Sequence, residues 1–155
     1  MKSKTVEQSK VSIGSLMQPE QANISGNVHG GEIMKLMDNA AGIVASRHAR
    51  TNVVTARVDK LEFHHPIHIG NLVMCLAELT FVGTSSMEIL VTVLVEDLYK
   101  EEPSKIALTG FFTMVALDKN GKTTTVPSLE ITTDEERRLF EEGRQSYLAY
   151  KQKNN

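Results

Sequence analysis

The sequence predicts an α+β fold in which one long central helix is wrapped by a curved antiparallel β-sheet. Apolar residues recur at helical spacing over 32–49, which indicates a helix packed along one face. Four long apolar runs rich in β-branched residues follow it, which is typical of strands. These runs are 53–63, 72–81, 87–97 and 106–117. Short links join most of them, and a parallel crossover needs a dozen or more residues, so the neighbouring strands must be antiparallel.

The segment before the helix is predicted to hold one further strand and a loop. Residues 1–10 are polar and are expected to fray, while 11–17 alternate apolar and small residues as a short strand does. Residues 18–31 contain one proline and three glycines, which favours a loop that ends where the helix begins.

The strand 87–97 is apolar on both faces. Ile89, Val91 and Val93 lie on one face, and Leu90 and Leu94 on the other. A strand of this kind is covered on both sides, and one helix covers only one of them. The pattern therefore predicts a second subunit against the other face.

The C-terminal segment is predicted to be a helix that starts at Thr133 or Asp134. Either residue suits an N-cap, acidic residues fill the first turn, and lysines lie near the end. Its apolar stripe is weak, so a solvent-exposed helix is expected. The chain is accordingly divided into a domain over 1–130 and a C-terminal helical tail over 131–155.

Composition narrows the class of protein. The chain has 155 residues, 41% of them hydrophobic, and a net charge of −2, which suits one globular domain without a basic field for nucleic acid. The single cysteine, Cys75, lies in an apolar run and is expected to be a buried hydrophobe. Without disulfides, an apolar leader or an 18-residue apolar stretch, we expect a cytoplasmic protein that neither enters the secretory route nor spans a membrane.

Asp38 is the first candidate for catalysis. At helical spacing it shares a face with Gly31, Met34, Ala41 and Gly42, so a lone carboxylate stands in a stripe of small and apolar residues. Burial of an unpaired carboxylate is unfavourable, and such groups are often general bases or nucleophiles. A structural, hydrogen-bonding aspartate is the alternative interpretation.

The segment GNVHGG at 26–31 is the second candidate site. Gly30 and Gly31 permit close approach of a ligand to the backbone, and helix N-terminal amides carry partial positive charge. The arrangement suits an oxyanion, such as a thioester carbonyl becoming tetrahedral. Asn27 is a candidate to orient water or the carbonyl, and His29 to contact substrate or to hold the turn.

Two other polar segments are weaker candidates. His64, His65 and His68 resemble metal ligands, but Pro66 separates them and no cysteine or acidic cluster lies beside them, so no metal site is predicted. A turn joins two of the strands and has hydroxyls and amides suited to a phosphate, although it lacks a P-loop lysine. That turn consists of Gly83, Thr84, Ser85 and Ser86.

Taken together, these segments resemble the hot-dog acyl-CoA thioesterases, in the branch of broad-specificity bacterial and cytosolic animal acyl-CoA hydrolases. The segments that carry the resemblance cover most of 10–130, and they are 23–49, 53–73, 81–93 and 111–129. The resemblance implies the hot-dog fold, homodimers that assemble to hexamers, and active sites at the dimer interface. It implies hydrolysis of fatty acyl-CoA with no cofactor, coenzyme A being part of the substrate and product.

The resemblance also implies roles for the candidate residues. Asp38 takes the role of general base or nucleophile, Asn27 positions water or carbonyl from the other subunit, and the Gly31 amide donates to the oxyanion. His29 and Gly30 are expected near the substrate, and the turn 83–86 near the CoA moiety. A hydroxyacyl dehydratase using His29 with Asp38, a non-enzymatic acyl-CoA sensor and a purely structural oligomer remain as alternatives.

Overall fold

The computed structural model describes residues 1–154, so the last residue of the predicted tail lies outside it. A five-stranded antiparallel sheet in the order β2-β4-β5-β6-β3 wraps one long helix, α1, and a second helix follows the sheet. The predicted α+β hot-dog architecture is thereby confirmed. The elements are β1 Lys4–Thr5, β2 Val11–Leu16, a short 3-10 helix Pro19–Gln21, α1 Gly30–Ala49, β3 Asn52–Phe63, β4 Leu72–Val82, β5 Ser86–Glu96, β6 Lys105–Leu117, β7 Leu129–Glu130 and α2 Asp134–Lys153.

Helix α1 begins at Gly30, two residues before the predicted start. His29 is its N-cap, and the ring of His29 accepts a hydrogen bond from the Gly31 amide. At the other end, Arg50 caps the helix in the left-handed conformation, with φ of 56°. The helix is earlier than predicted because a histidine, rather than a serine, threonine or aspartate, supplies the capping acceptor.

The core lies between α1 and the concave face of the sheet. Met37 and Val44 of the helix are fully buried against alternate residues of the central strands, including Val73, Ile89 and Phe112. Each such apolar side chain contributes about 1.5–3 kcal/mol relative to exposure, which makes this interface the main source of stability. Cys75 is buried in the same layer, as predicted.

The N-terminal segment is ordered, so the expectation that it frays was wrong. β1 pairs in parallel with β7, and Val6 is 2% exposed. The Lys4 ammonium donates to the carbonyl oxygen of His48 at 2.8 Å, at the C-terminal end of α1. A cation is favourable there because the last helical carbonyls carry partial negative charge.

The C-terminal helix packs against the convex face of the sheet, which corrects the prediction of a solvent-exposed helix. Leu139 and Gly143 are buried, and the ring of Phe81 on β4 lies 5.0 Å from Phe140 and 5.2 Å from Tyr147, between centroids. The weak stripe seen in the sequence is therefore a real packing face. Among the described residues, neither helix has the length and apolarity that a membrane crossing requires.

The packing of α2 also changes the interpretation of the convex face. The sequence predicts that a second subunit covers this face. In the structure, α2 of the same chain covers part of it. Apolar residues further along the face remain open, with Leu76 38% and Ile106 47% exposed. β3 is the other open feature, a 12-residue edge strand paired only through β6.

Candidate active site

The Asp38 side chain is held by the neighbouring strand. Thr55 on β3 donates from Oγ1 to Asp38 Oδ1 at 2.6 Å, and the same hydroxyl lies 3.3 Å from the Met114 sulfur. Asp38 is half-buried, with its second carboxylate oxygen unbonded among the described residues. The carboxylate is thus oriented through one oxygen while the other is available to a ligand.

Asp38 opens onto a broad groove between α1 and the edge strand β3. The groove has a volume of about 910 Å³ and combines apolar side chains with a few polar ones. Ile43 on the helix and Val54 on the strand are exposed along it, at 37% and 42%. A carboxylate beside exposed apolar surface and an unpaired strand edge is typical of a site that another molecule completes.

The start of α1 forms the second part of the candidate site. Gly31 donates its amide hydrogen to His29 Nδ1 at 3.0 Å, so the proposed oxyanion donor has an internal partner in this structure. A Cβ on Gly30 would lie 3.9 Å from Phe63 Cε1, which places the end of β3 beside the helix start. Phe63 is 62% exposed and forms an open apolar wall there.

The loop before the helix contains two asparagines, and they have different roles. Asn23 is exposed, and its Oδ1 accepts from the amides of Ser25 at 2.9 Å and Asn27 at 3.2 Å. The Asn27 backbone accepts from the Asn23 amide at 2.7 Å and bridges to His68. Asn23 therefore caps a tight turn, and Asn27 is the half-buried residue that closes it.

Within one chain, Asp38 and the helix start are well separated. Asp38 follows Gly31 by seven positions in the helix, so their Cα atoms are about 10 Å apart along the helix axis at 1.5 Å per residue. A single thioester carbonyl cannot contact both groups over that distance. The residues predicted from sequence are thus divided into two half-sites, one around Asp38 and one around 23–31.

The turn Gly83, Thr84, Ser85 and Ser86 lies at a third location. It joins β4 to β5 and lines a cavity of about 310 Å³ on the convex face, together with residues of α2. The Val126 amide donates to Thr84 O, and the Ala116 amide to Ser85 O, both at 2.9 Å. These bonds fix the turn, and Thr84, Ser85 and Ser86 line the cavity.

Cys75, His64 and His65 are not part of either half-site, and His68 contacts the second half-site only through its backbone bridge to Asn27. Burial raises the pKa of the Cys75 thiol to about 12, so it remains protonated and is a poor nucleophile. His64 Nε2 lies 3.5 Å from Thr109 Oγ1, whereas His65 and His68 line a separate polar cavity. Over residues 1–154, no three histidine, cysteine, aspartate or glutamate side chains converge as a metal site would require.

The comparisons with known proteins agree with this geometry. The family model described as the thioesterase superfamily matches residues 25–102, which include Asp38, Thr55, the helix start and the turn 83–86, but not Asn23. The chain belongs to the thioesterase superfamily. Its membership explains why a long helix, a glycine-rich helix start and an edge strand occur together.

Three relatives within this superfamily are informative. The cytosolic acyl coenzyme A thioester hydrolase of Rattus norvegicus is 42% identical over 150 residues, 96% of this chain and 39% of the relative. This chain therefore spans about two fifths of the length of that curated relative. A hexameric acyl-CoA thioesterase, solved in its apo form, has a TM-score of 0.92 and 31% identity, covering 99% of this chain and 98% of that one.

The third is the acyl-CoA hydrolase of Staphylococcus aureus, solved with butyryl coenzyme A and coenzyme A. It has a TM-score of 0.85 and 30% identity, and covers 99% of this chain and 91% of that one. Variants of that enzyme replace an aspartate, an asparagine and a threonine by alanine. In its numbering the asparagine precedes the aspartate by 15 positions and the threonine follows it by 17.

Sequence reasoning missed two polar residues of the site. Thr55 lies in a β-branched strand and has no sequence signal, because only the fold brings it to Asp38. Asn23 was included in the segment that resembles the family, but it was not distinguished from Asn27. Its signal was the turn itself, since an asparagine two residues before Ser25 and four before Asn27 can cap both amides.

Proposed function

We propose that the protein is an acyl-CoA thioesterase that hydrolyses fatty acyl-CoA to a free fatty acid and coenzyme A. The observation that carries the proposal is the Asp38 carboxylate, oriented by Thr55 at 2.6 Å on the open groove beside β3. A half-buried carboxylate with one free oxygen is suited to activate water or to attack a carbonyl. The relatives that are acyl-CoA hydrolases support the substrate class, and the S. aureus relative was solved with butyryl coenzyme A.

We infer that two copies of the chain complete each site. If two β3 edges pair antiparallel about a two-fold axis, the Thr55 end of one strand meets the Phe63 end of the other. Phe63 lies beside Gly30, so the helix start of the second copy would approach Asp38 of the first. This arrangement joins the two half-sites, which are about 10 Å apart within one chain.

The proposed chemistry needs an oxyanion donor and a base. The Gly31 amide is proposed to donate to the thioester carbonyl oxygen as it gains negative charge. Because that amide is bonded to His29 Nδ1 at 3.0 Å, His29 must release it when substrate binds. Asp38 takes a proton from water, the hydroxide adds to the carbonyl carbon, and the C–S bond breaks to release the CoA thiolate. Direct attack by Asp38, with a transient anhydride, is the second route to the same products.

Two asparagines are candidates for the group that positions water or carbonyl. Asn27 was assigned that role from the sequence, and it remains a prediction. The variants of the S. aureus enzyme favour Asn23, because Asn23 precedes Asp38 by the same 15 positions and Thr55 follows by the same 17. Asn23 is also the more exposed residue, and the asparagine variant of that relative was solved with coenzyme A.

Several wider properties are part of the same proposal. We propose a homodimer that assembles to a hexamer, supported by the hexameric relative, and binding of the CoA moiety near the turn 83–86. A cytoplasmic location is supported by the name of the rat relative. No cofactor is needed, since the base, the oxyanion donor and the leaving thiolate account for the reaction.

The alternatives differ in what they require of His29 and Asp38. A dehydratase would need His29 as a free base near an acid, but His29 Nδ1 accepts from the Gly31 amide and caps the helix. A non-enzymatic sensor or a structural oligomer would bind or assemble without turnover.

The test is release of CoA thiol from a chain-length series of acyl-CoAs, followed by comparison of wild type with Asp38→Asn. We expect hydrolysis by the wild type and a loss in kcat of roughly 10²-fold or more, the range for loss of a general base. Binding without turnover by the wild type would favour the sensor. Near-full activity of Asp38→Asn would show that the catalytic assignment is wrong.

A further inference from the structure

Strand β3 directs two nearby side chains to opposite faces of the sheet. Thr55 donates to Asp38 of α1, on the concave face. Arg57 faces the convex side, where its guanidinium carbon lies 3.7 Å from the centroid of the Tyr150 ring of α2. Residues two positions apart in a regular strand share one face, because successive side chains alternate. β3 is therefore irregular between Thr55 and Arg57.

The irregularity is a β-bulge at Ala56. Thr55 pairs with Met114 of β6. The next pair joins Arg57 to Thr113, so two steps along β3 correspond to one step along β6. Ala56 is the extra residue, and it is exposed. Bulges are frequent beside active sites, where they redirect a side chain.

The hydrogen bond to Asp38 depends on this extra residue. Val53 and Val58 both pack against the core, and Thr55 lies two positions after the first and three before the second. In a regular strand counted back from Val58, Ala56 would face the concave side and Thr55 the convex side, since a slip of one residue exchanges the faces. The Thr55 hydroxyl would then point away from α1.

Arg57 has the side-chain contacts that hold the bulge on the convex face. Its side chain is only 20% exposed, and Nε donates to Asp59 Oδ2 at 2.5 Å. The guanidinium also lies over the Tyr150 ring, and the face of an aromatic ring attracts a cation. A regular strand continued from Thr55 would turn Arg57 towards the core and away from both partners. The two contacts therefore favour the bulged strand.

Tyr150 is placed by a helix that is itself packed. Leu139 and Gly143 of α2 are buried, and the Tyr147 ring lies 5.2 Å from the Phe81 ring, between centroids. Tyr150 follows Tyr147 by three positions, so the two side chains are neighbours on the helix surface. Its contact with Arg57 therefore links the end of α2 to β3.

We propose that Tyr150 and Arg57 are positioning residues for the candidate active site. The Tyr150 ring holds the Arg57 guanidinium on the convex face and thereby fixes the bulge at Ala56. The bulge in turn directs the Thr55 hydroxyl to Asp38. This proposal rests on the thioesterase function proposed above and adds α2 to the elements that set its rate. Neither Tyr150 nor Arg57 contacts Asp38, so both act through Thr55.

The experiment measures whether the Tyr150 ring acts through the Thr55 hydroxyl. Tyr150→Ala removes the ring, Tyr150→Phe keeps it, and each change is also combined with Thr55→Val. Leu148→Ala and Lys153→Ala are the controls, because both residues are exposed on α2 and neither lines the cavity beside Arg57. We would measure kcat and KM with an acyl-CoA and with the acyl-pantetheine thioester of the same acyl chain, which lacks the nucleotide. Amide hydrogen exchange is followed along β3 in the same proteins.

We expect Tyr150→Ala to lower kcat about two- to fivefold on both substrates, the factor that corresponds to a partly exposed cation–π contact. KM should change little, because the ring does not touch the substrate in this role. Tyr150→Phe and the two controls should stay near wild type. In the Thr55→Val protein, Tyr150→Ala should cause no further loss, since the hydroxyl that it positions is already absent. Amides around Ala56 should exchange faster in Tyr150→Ala than in either control.

Three outcomes would overturn the proposal. An equal further loss of kcat in the Thr55→Val protein would show that the ring acts independently of the hydroxyl. A rise in KM for acyl-CoA alone would place the ring against the substrate instead. No change in kcat or in amide exchange would show that the bulge does not depend on α2.

The exchange measurement separates this proposal from the proposed function. A wild type that hydrolyses no thioester would overturn the function, while faster exchange around Ala56 in Tyr150→Ala would still support the link between α2 and β3. An active wild type with unchanged exchange in Tyr150→Ala would overturn the link and leave the function intact.

Discussion

At the scale of single residues, the hydrogen bond between Thr55 and Asp38 is the contact most closely tied to the proposed chemistry. We expect Thr55→Val, which keeps the shape and removes the hydroxyl, to lower kcat by roughly ten- to hundredfold. A hydrogen bond to a charged group contributes about 1.5–3 kcal/mol, and its loss leaves Asp38 free to rotate. Thr55→Ser should restore most of the rate in a steady-state assay. Full activity of Thr55→Val would contradict a positioning role.

His48 provides a second residue-scale prediction, on stability. It is 0% exposed, Nε2 lies 2.7 Å from the Pro127 carbonyl oxygen, and Nδ1 has no partner among the described residues. Burial lowers the pKa of His48 from its ordinary value of 6.5. The neutral ring is therefore the folded form, and it joins the end of α1 to the segment before β7.

The direction of the pH effect follows from that lowered pKa. Above pH 6.5 the ring is neutral in both the folded and the unfolded state, so His48 does not make the free energy of unfolding depend on pH. As the pH falls below that value, the unfolded chain takes up a proton that the folded protein excludes. The free energy of unfolding should fall by up to about 1.4 kcal/mol per pH unit from this group. The measurement is urea unfolding from pH 7 to pH 5. His48→Gln should remove the decrease in free energy of unfolding that this group causes. His65→Gln, an exposed control, should retain that decrease.

At the scale of elements, the docking of α2 depends on one glycine. A Cβ on Gly143 would lie 2.6 Å from Phe81 Cβ and 2.8 Å from Glu88 Oε1. The Phe81 Cβ is bonded directly to the backbone of β4 and cannot turn away, so α2 itself must move. Replacing glycine by alanine at an exposed helix position stabilises the fold by up to about 1 kcal/mol, whereas overpacking destabilises it by about 1–3 kcal/mol. The clash at Gly143 therefore outweighs the higher helix propensity of alanine.

We therefore expect Gly143→Ala to lower the free energy of unfolding by about 1–2 kcal/mol, with a lower melting temperature. Gln145→Ala, an exposed change on the same helix, should stay within about 0.5 kcal/mol of wild type. If Gly143→Ala were as stable as wild type, α2 would not be packed on Phe81 as described.

At the scale of the whole molecule, the division of the site between two copies can be tested by mixing inactive variants. Asp38→Asn is combined with Asn23→Ala, and in a parallel experiment with Asn27→Ala. A mixed dimer would hold one intact site and one site with both changes. Random exchange makes half the dimers mixed, so recovery should approach about a quarter of wild-type activity, since each isologous dimer has two equivalent sites.

The mixing experiment also distinguishes the two asparagines. We expect recovery with Asn23→Ala, and with Asn27→Ala only if Asn27 itself contributes to catalysis. Exchange of subunits must first be measured, for example with two fluorescent labels. Proven exchange without recovery in the Asn23→Ala mixture would place Asp38 and Asn23 in one subunit, contrary to the shared site.

Much of the architecture was accessible from local pattern. The four long strands were predicted within one residue of their observed ends, because their alternation and their turn residues are local properties. The start of α1 was predicted late, at 32 rather than Gly30, since a histidine N-cap is an uncommon signal. The first ten residues were expected to fray because they are polar. β1 is only two residues long and gains its order from pairing with β7, which no local pattern indicates.

The sequence by itself determined the fold class, the burial of Cys75 and the choice of Asp38 as the residue of interest. Those conclusions follow from the spacing of apolar residues, which differs between helix and strand and identifies the apolar side of each element. Only the tertiary structure decided what each side meets: Thr55 beside Asp38, Phe63 beside Gly30, and α2 on Phe81. The physical reason is that a periodic pattern specifies the face that is buried, whereas the partner of that face depends on long-range pairing between segments far apart in the chain.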